Sequence, residues 1–90
     1  MGEATAKVTV LFFAKSRELT GTREATLEVP RQISSVGLLN KLISVYNSLE
    51  VLRESLVLSL NEEYVSIDDV TILELNTNDT IAVIPPISGG

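Results

Sequence analysis

Ninety residues with 44% hydrophobic content describe one domain around a single core, and the lack of cysteine and histidine removes disulfides, a thiol nucleophile, thiolate zinc ligands and the commonest general base. Seven basic against 12 acidic residues give a net charge of −5, a field that repels nucleic-acid phosphates and anionic membrane surfaces. No nucleic acid and no membrane is therefore expected as a partner; a protein with a basic face suits this field better.

Met1 to Lys7 carries no apolar signal core, Ala6 stands where a myristoylation motif needs Ser or Thr, and no apolar run nears the ~20 residues of a membrane span. A soluble, cytosolic protein is expected. Lys7 to Ala14 reads as a strand, rich in β-branched and aromatic residues, with Val8, Val10 and Phe12 on one face and Leu11 and Phe13 on the other. Both faces want cover. Lys15 to Gly21 reads as one helical turn closed by glycine, and Glu24 to Val29 as a half-buried strand directing Ala25, Leu27 and Val29 inward.

Pro30 ends that strand, and Ser34 or Ser35 caps a helix with apolar positions Val36, Leu39, Ile43 and Tyr46, widened by Leu38, Leu42 and Val45. So broad an apolar stripe calls for packing across a sheet. Ser48 to Arg53 suggests a further short turn, Leu56 to Leu60 a strand, Asn61-Glu62-Glu63 a turn and Tyr64-Val65 a short return strand. Ser66 to Leu75 is ambiguous, because Asp68-Asp69 favours a loop while Val70, Ile72 and Leu73 want burial. Asn76 to Asp79 is a turn with Asn78 able to take positive φ, which also accounts for the Asn78-Asp79-Thr80 sequon, and Thr80 to Ile84 is the last strand. The order predicts an α+β, β-grasp (ubiquitin-like) domain over residues 1–84: a mixed sheet of about five strands, one main helix across it, and the last strand beside the first. Phe13 and Ile84 would then meet on the face opposite the helix and form an apolar patch.

Residues 85–90, Pro85-Pro86-Ile87-Ser88-Gly89-Gly90, read as an extended, flexible C-terminal tail. Fully extended they reach roughly 20 Å at about 3.3 Å per residue. The prolines stiffen the base, and Ser88, Gly89 and Gly90 are slim enough to thread a narrow channel. The useful atom is the α-carboxyl carbon of Gly90, which resists nucleophiles as a carboxylate and needs activation, for example by ATP as an acyl-adenylate. With no Gly-rich phosphate loop and no histidine or cysteine in the chain, that catalysis belongs to partners, and the domain is expected to be a carrier rather than an enzyme in its own right. No metal site and no cofactor of its own is expected.

The stretches VLFFAKSRELTG (Val10 to Gly21), NEEYV (Asn61 to Val65) and DTIAVIPPISGG (Asp79 to Gly90) resemble the small, sulfur-carrier subunit of molybdopterin synthase. One departure is Asn78-Asp79, where that family commonly has Gly-Asp. The resemblance implies that an activating enzyme uses ATP and Mg²⁺ to adenylate Gly90, that a sulfurtransferase persulfide then yields a Gly90 thiocarboxylate, and that this sulfur passes to cyclic pyranopterin monophosphate in the large catalytic subunit during molybdenum cofactor biosynthesis. It implies a heterotetramer of two small and two large subunits, with Pro85, Pro86, Ile87, Ser88 and Gly89 inserted into the large subunit and Phe13, Tyr64 and Ile84 forming the docking patch. Two alternatives stay open at this point: a related ubiquitin-like carrier for thiazole or tRNA thiolation or a protein modifier, and an interaction domain with an incidental tail.

Overall fold

Strand β1 (Thr5–Phe12) alternates strictly on one side, with Ala6, Val8, Val10 and Phe12 each at most 2% exposed. The computed structural model describes residues 4–86, so Ile87, Ser88, Gly89 and Gly90, and the expectation of a flexible tail there, lie outside the described residues. After β1 come helix α1 (Ala14–Thr20), β2 (Glu24–Pro30), β3 (Gln32–Ser34), helix α2 (Ser35–Val45), a 3₁₀ helix (Asn47–Leu52), β4 (Val57–Leu60), β5 (Glu63–Val65), β6 (Ile72–Glu74) and β7 (Thr80–Ile84).

The five-stranded sheet runs β2-β1-β7-β4-β5, and a separate two-stranded ladder pairs β3 with β6. β1 and β7 are parallel, while β1–β2, β4–β7 and β4–β5 are antiparallel. Leu38, Leu39, Leu42 and Ile43 of α2 form one buried cluster with Val8, Val10, Phe12, Leu58, Ile81 and Val83 of the sheet. Phe12 meets the ring of Tyr46 edge to face at 4.9 Å between centroids. This is the β-grasp arrangement, with the last strand beside the first.

Local chemistry sets the helix ends. Gly21 closes α1 at φ 74°, the left-handed conformation that glycine takes at least cost, and its amide donates to the Arg17 carbonyl. Ser34 caps α2 by accepting from the Gly37 amide at 3.0 Å. Ser35 is buried, donates to the Asp68 carbonyl at 3.0 Å and accepts from the Asp68 amide at 2.9 Å, which ties the 66–71 loop to the helix start. Thr71, through its side chain and its amide, and then the Val70 amide hold the Asp68 carboxyl below its usual range.

Three expectations need correction. Val45 sits at the end of α2, beyond the sheet's cover, and is 45% exposed. In the ambiguous 66–75 segment only Leu73 and Leu75 are buried, whereas Val70 and Ile72 are 79% and 57% exposed. That segment contributes β6, whose partner β3 was not anticipated; each strand has three residues, too few for periodicity to register. Leu42→Ala should lower stability by about 2–5 kcal/mol, and Val45→Ala by no more than about 0.5 kcal/mol, as read by urea denaturation with the slope unchanged.

Candidate functional site

Strand alternation sends every second residue of the sheet away from α2, and this outer face is divided along its length. Toward the start of β7 it is polar: Thr9 opposes Thr80 and Thr26, and Lys7 opposes Glu28. Toward the end of β7 it is largely apolar. Leu11 opposes Ala82, Ala82 opposes Ser59, and Ser59 opposes Tyr64, one line across four strands. One step on, Val57 opposes Ile84, and the Phe13 amide donates to the Val83 carbonyl at 3.2 Å, which sets Phe13 beside the end of β7. Phe13 is 46% exposed, Tyr64 77% and Val57 36%, while Ile84 is half-buried.

The chain leaves this apolar half directly into the tail, with Pro85 buried and Pro86 exposed. The exit is held from α1. Ser16, fully buried, donates to the Phe13 carbonyl at 2.6 Å and lies 3.1 Å from the Val83 carbonyl, and its oxygen accepts from the Phe13 amide at 3.0 Å. A hydroxyl four residues past the strand end serves the backbone groups at the strand-to-helix change.

The other end of β7 is held from the β4–β5 hairpin. Asn61 accepts from the Thr80 amide at 2.8 Å through its side chain, donates from its own amide to the Thr80 carbonyl at 2.8 Å, and donates to the Asp79 carboxylate at 3.1 Å. Asp79 also accepts from the Asn76 amide at 2.8 Å, closing the turn in which Asn78 has φ 79°. Asn61 and Glu62 both have positive φ, 49° and 74°, the two-residue turn that matches sheet twist. This turn, with Leu11, Phe13, Ser59 and Ala82, lines an open depression of about 490 Å³.

The structure thus brings Phe13 and Ile84 together at the tail base and places Tyr64 on the same face, two strands from β7. Gly90, Gly89, Ser88 and Ile87 lie outside the described residues. Sequence reasoning missed Val57, Ser59, Ser16 and Glu62 as parts of the site. Alternation along β1 sets Leu11 on the outer face. Among the described residues, no group of His, Cys, Asp and Glu could hold a metal ion, and no helix is long and apolar enough to cross a membrane.

The sequence model described as the ThiS family matches residues 10–90. The molybdopterin synthase sulfur carrier subunit of Homo sapiens is 42% identical over 84 residues, covering 93% of this chain and 94% of the relative. That of Drosophila melanogaster is 46% identical over 83 residues, covering 92% and 90%. Among solved structures, small archaeal modifier protein 1 of Haloferax volcanii superposes with a TM-score of 0.76 at 20% identity over 94% of this chain and 100% of that one, a likeness of fold. Ser16→Ala, which strips a buried hydroxyl from the tail exit, should cost about 1–2 kcal/mol in urea denaturation and speed hydrogen exchange at the Phe13 amide.

Proposed function

We propose that this chain, which belongs to the ThiS family, is a sulfur carrier subunit of molybdopterin synthase whose loaded group is the α-carboxyl of Gly90. The observation that carries this reading is 42% and 46% identity, over 93% and 92% of the chain, to relatives of that name. The geometry supports it in two ways. The central strand delivers the chain toward Gly90 from a fixed base at Pro85, and the apolar half of the outer face adjoins that base without a helix to cover it.

In the proposed cycle the Gly90 carboxylate attacks the α-phosphorus of ATP, with Mg²⁺, in the site of a separate activating enzyme, and pyrophosphate leaves. The terminal sulfur of a protein persulfide then attacks the acyl carbon and expels AMP. A thiol cleaves the resulting acyl disulfide and leaves the thiocarboxylate. The persulfide and the cleaving thiol come from other proteins, since this chain has no cysteine. The large subunit of molybdopterin synthase then receives the tail from Pro85 to Gly90, and the sulfur passes to cyclic pyranopterin monophosphate. In the heterotetramer of two small and two large subunits, Phe13, Ile84 and Tyr64 seat the carrier on its partner.

Incubating the full chain with activating enzyme, ATP and a sulfur donor should add the oxygen-to-sulfur mass increment at Gly90, read by intact and peptide mass spectrometry. Deleting Gly90 should leave the melting temperature unchanged and abolish the increment. An unmodified chain under these conditions, or ladders of the chain attached to other proteins, would count against the carrier. In a second test, Phe13→Ala or Ile84→Ala should weaken the complex with the large subunit by ~2 kcal/mol or more, as central apolar anchors do, while the melting transition stays cooperative. Titration calorimetry measures it, and full affinity in both variants would remove these residues from the docking patch.

A further inference from the structure

Glu62 occupies the second position of the β4–β5 turn at φ 74°, a place where such turns ordinarily carry glycine. A side chain there costs conformational energy, and residues kept in the left-handed region at a cost cluster where proteins meet ligands and partners. The local structure draws nothing from the Glu62 carboxylate. It is exposed and makes no ion pair or side-chain hydrogen bond among the described residues, in contrast to Asn61 beside it. Yet Glu62 lines the depression formed with Leu11, Phe13 and Ala82, at the margin of the apolar half-face.

On the other side of Leu11 and Phe13 lies a second depression, where Arg17 and Arg23 stand among Glu18 and Glu24. Its signs are mixed, so it sets no polarity. In the depression on the Glu62 side, by contrast, Glu62 is the one charged side chain of the lining. In a chain of net charge −5, a carboxylate held at conformational cost beside the docking patch is suited to meeting a cation on a partner.

We infer that Glu62 is a docking residue, held in a strained turn so that its carboxylate faces a lysine or arginine of the large subunit while Leu11 and Phe13 take up its apolar surface. The inference rests on the proposed function for the identity of that partner. The apolar patch supplies most of the affinity. Glu62 supplies orientation and approach rate, which makes its contribution sensitive to salt where that of Phe13 is not.

The test is binding of the full chain to the purified large subunit at low and high ionic strength, with melting temperatures measured alongside. Glu62→Gln and Glu62→Gly should each weaken binding about tenfold at low salt, and Glu62→Lys more, with the deficits closing at high salt. The Phe13→Ala deficit should persist at both. Glu62→Gly should keep or raise the melting temperature, because glycine fits the turn. Wild-type affinity at low salt in the Gln and Gly variants would overturn the inference and leave the functional proposal standing. A Glu62→Gly deficit that persists at high salt with a lowered melting temperature would also overturn it, by showing that the residue serves the fold. Failure of the unsubstituted chain to bind the large subunit would defeat the functional proposal and this inference with it.

Discussion

Everything at the proposed site depends on the last strand lying in the middle of the sheet. β7 is bonded to β1 on one side and β4 on the other, and Ile81, Ala82 and Val83 are all buried. Terminal segments usually fray because few contacts hold them. Here the segment that leads to the tail can open only when two ladders part, one of them to the N-terminal strand. Such a strand belongs with the most protected part of a fold, so the backbone at Pro85 is a fixed origin.

The two faces of that sheet divide the work, and the division was largely legible in the chain. Period-two alternation in β1 and β7 assigns Val8, Val10, Phe12, Ile81 and Val83 to the helix side and Leu11, Phe13, Ala82 and Ile84 to the other, and the structure agrees. The Gly21 stop and the Asn78 turn are equally plain, because each rests on one residue's own stereochemistry, and the α2 cap is legible as Ser34 or Ser35, of which Ser34 serves. The misses share a different cause. Val45, Val70 and Ile72 are apolar but stand where no other element reaches them, and hydrophobicity alone does not say where cover ends. The β3–β6 ladder joins Gln32–Ser34 to Ile72–Glu74, a pairing set by the tertiary fold between segments too short to show a period. Nothing local to Ser16 signals burial, which follows from the path of the backbone around Phe13.

In the proposed reading the chemistry falls to partners, which places unusual demands on the carrier's surface. In the proposed cycle the same tail must enter an activating enzyme and then a synthase, and the same apolar half-face is the ground on which each can recognise the domain. Partners that read one surface exclude one another, so order in the cycle can follow from the state of the Gly90 carboxyl without any conformational change in the fold. Rigidity is then an asset: a docking face and a tail origin built on one strand present a constant geometry to both enzymes, and little ordering entropy is lost on the domain side of either complex.

The hydrogen bonds at the two ends of β7 complete that logic. Asn61 holds the start of the strand through the Thr80 amide, and Ser16 holds its end through the Phe13–Val83 junction. The clamping residues come from the β4–β5 turn, which presents Glu62, and from the first turn of α1, which follows Phe13, and both border the proposed docking face. Each segment therefore fixes the strand that leads to the tail and, in the proposed reading, displays a side chain to the partner. An Asn in the left-handed region is tolerable on its own account, but a glutamate next to it is not explained by the clamp, since the clamp uses only Asn61. What the fold requires of the turn stops at residue 61, and what residue 62 adds is directed outward.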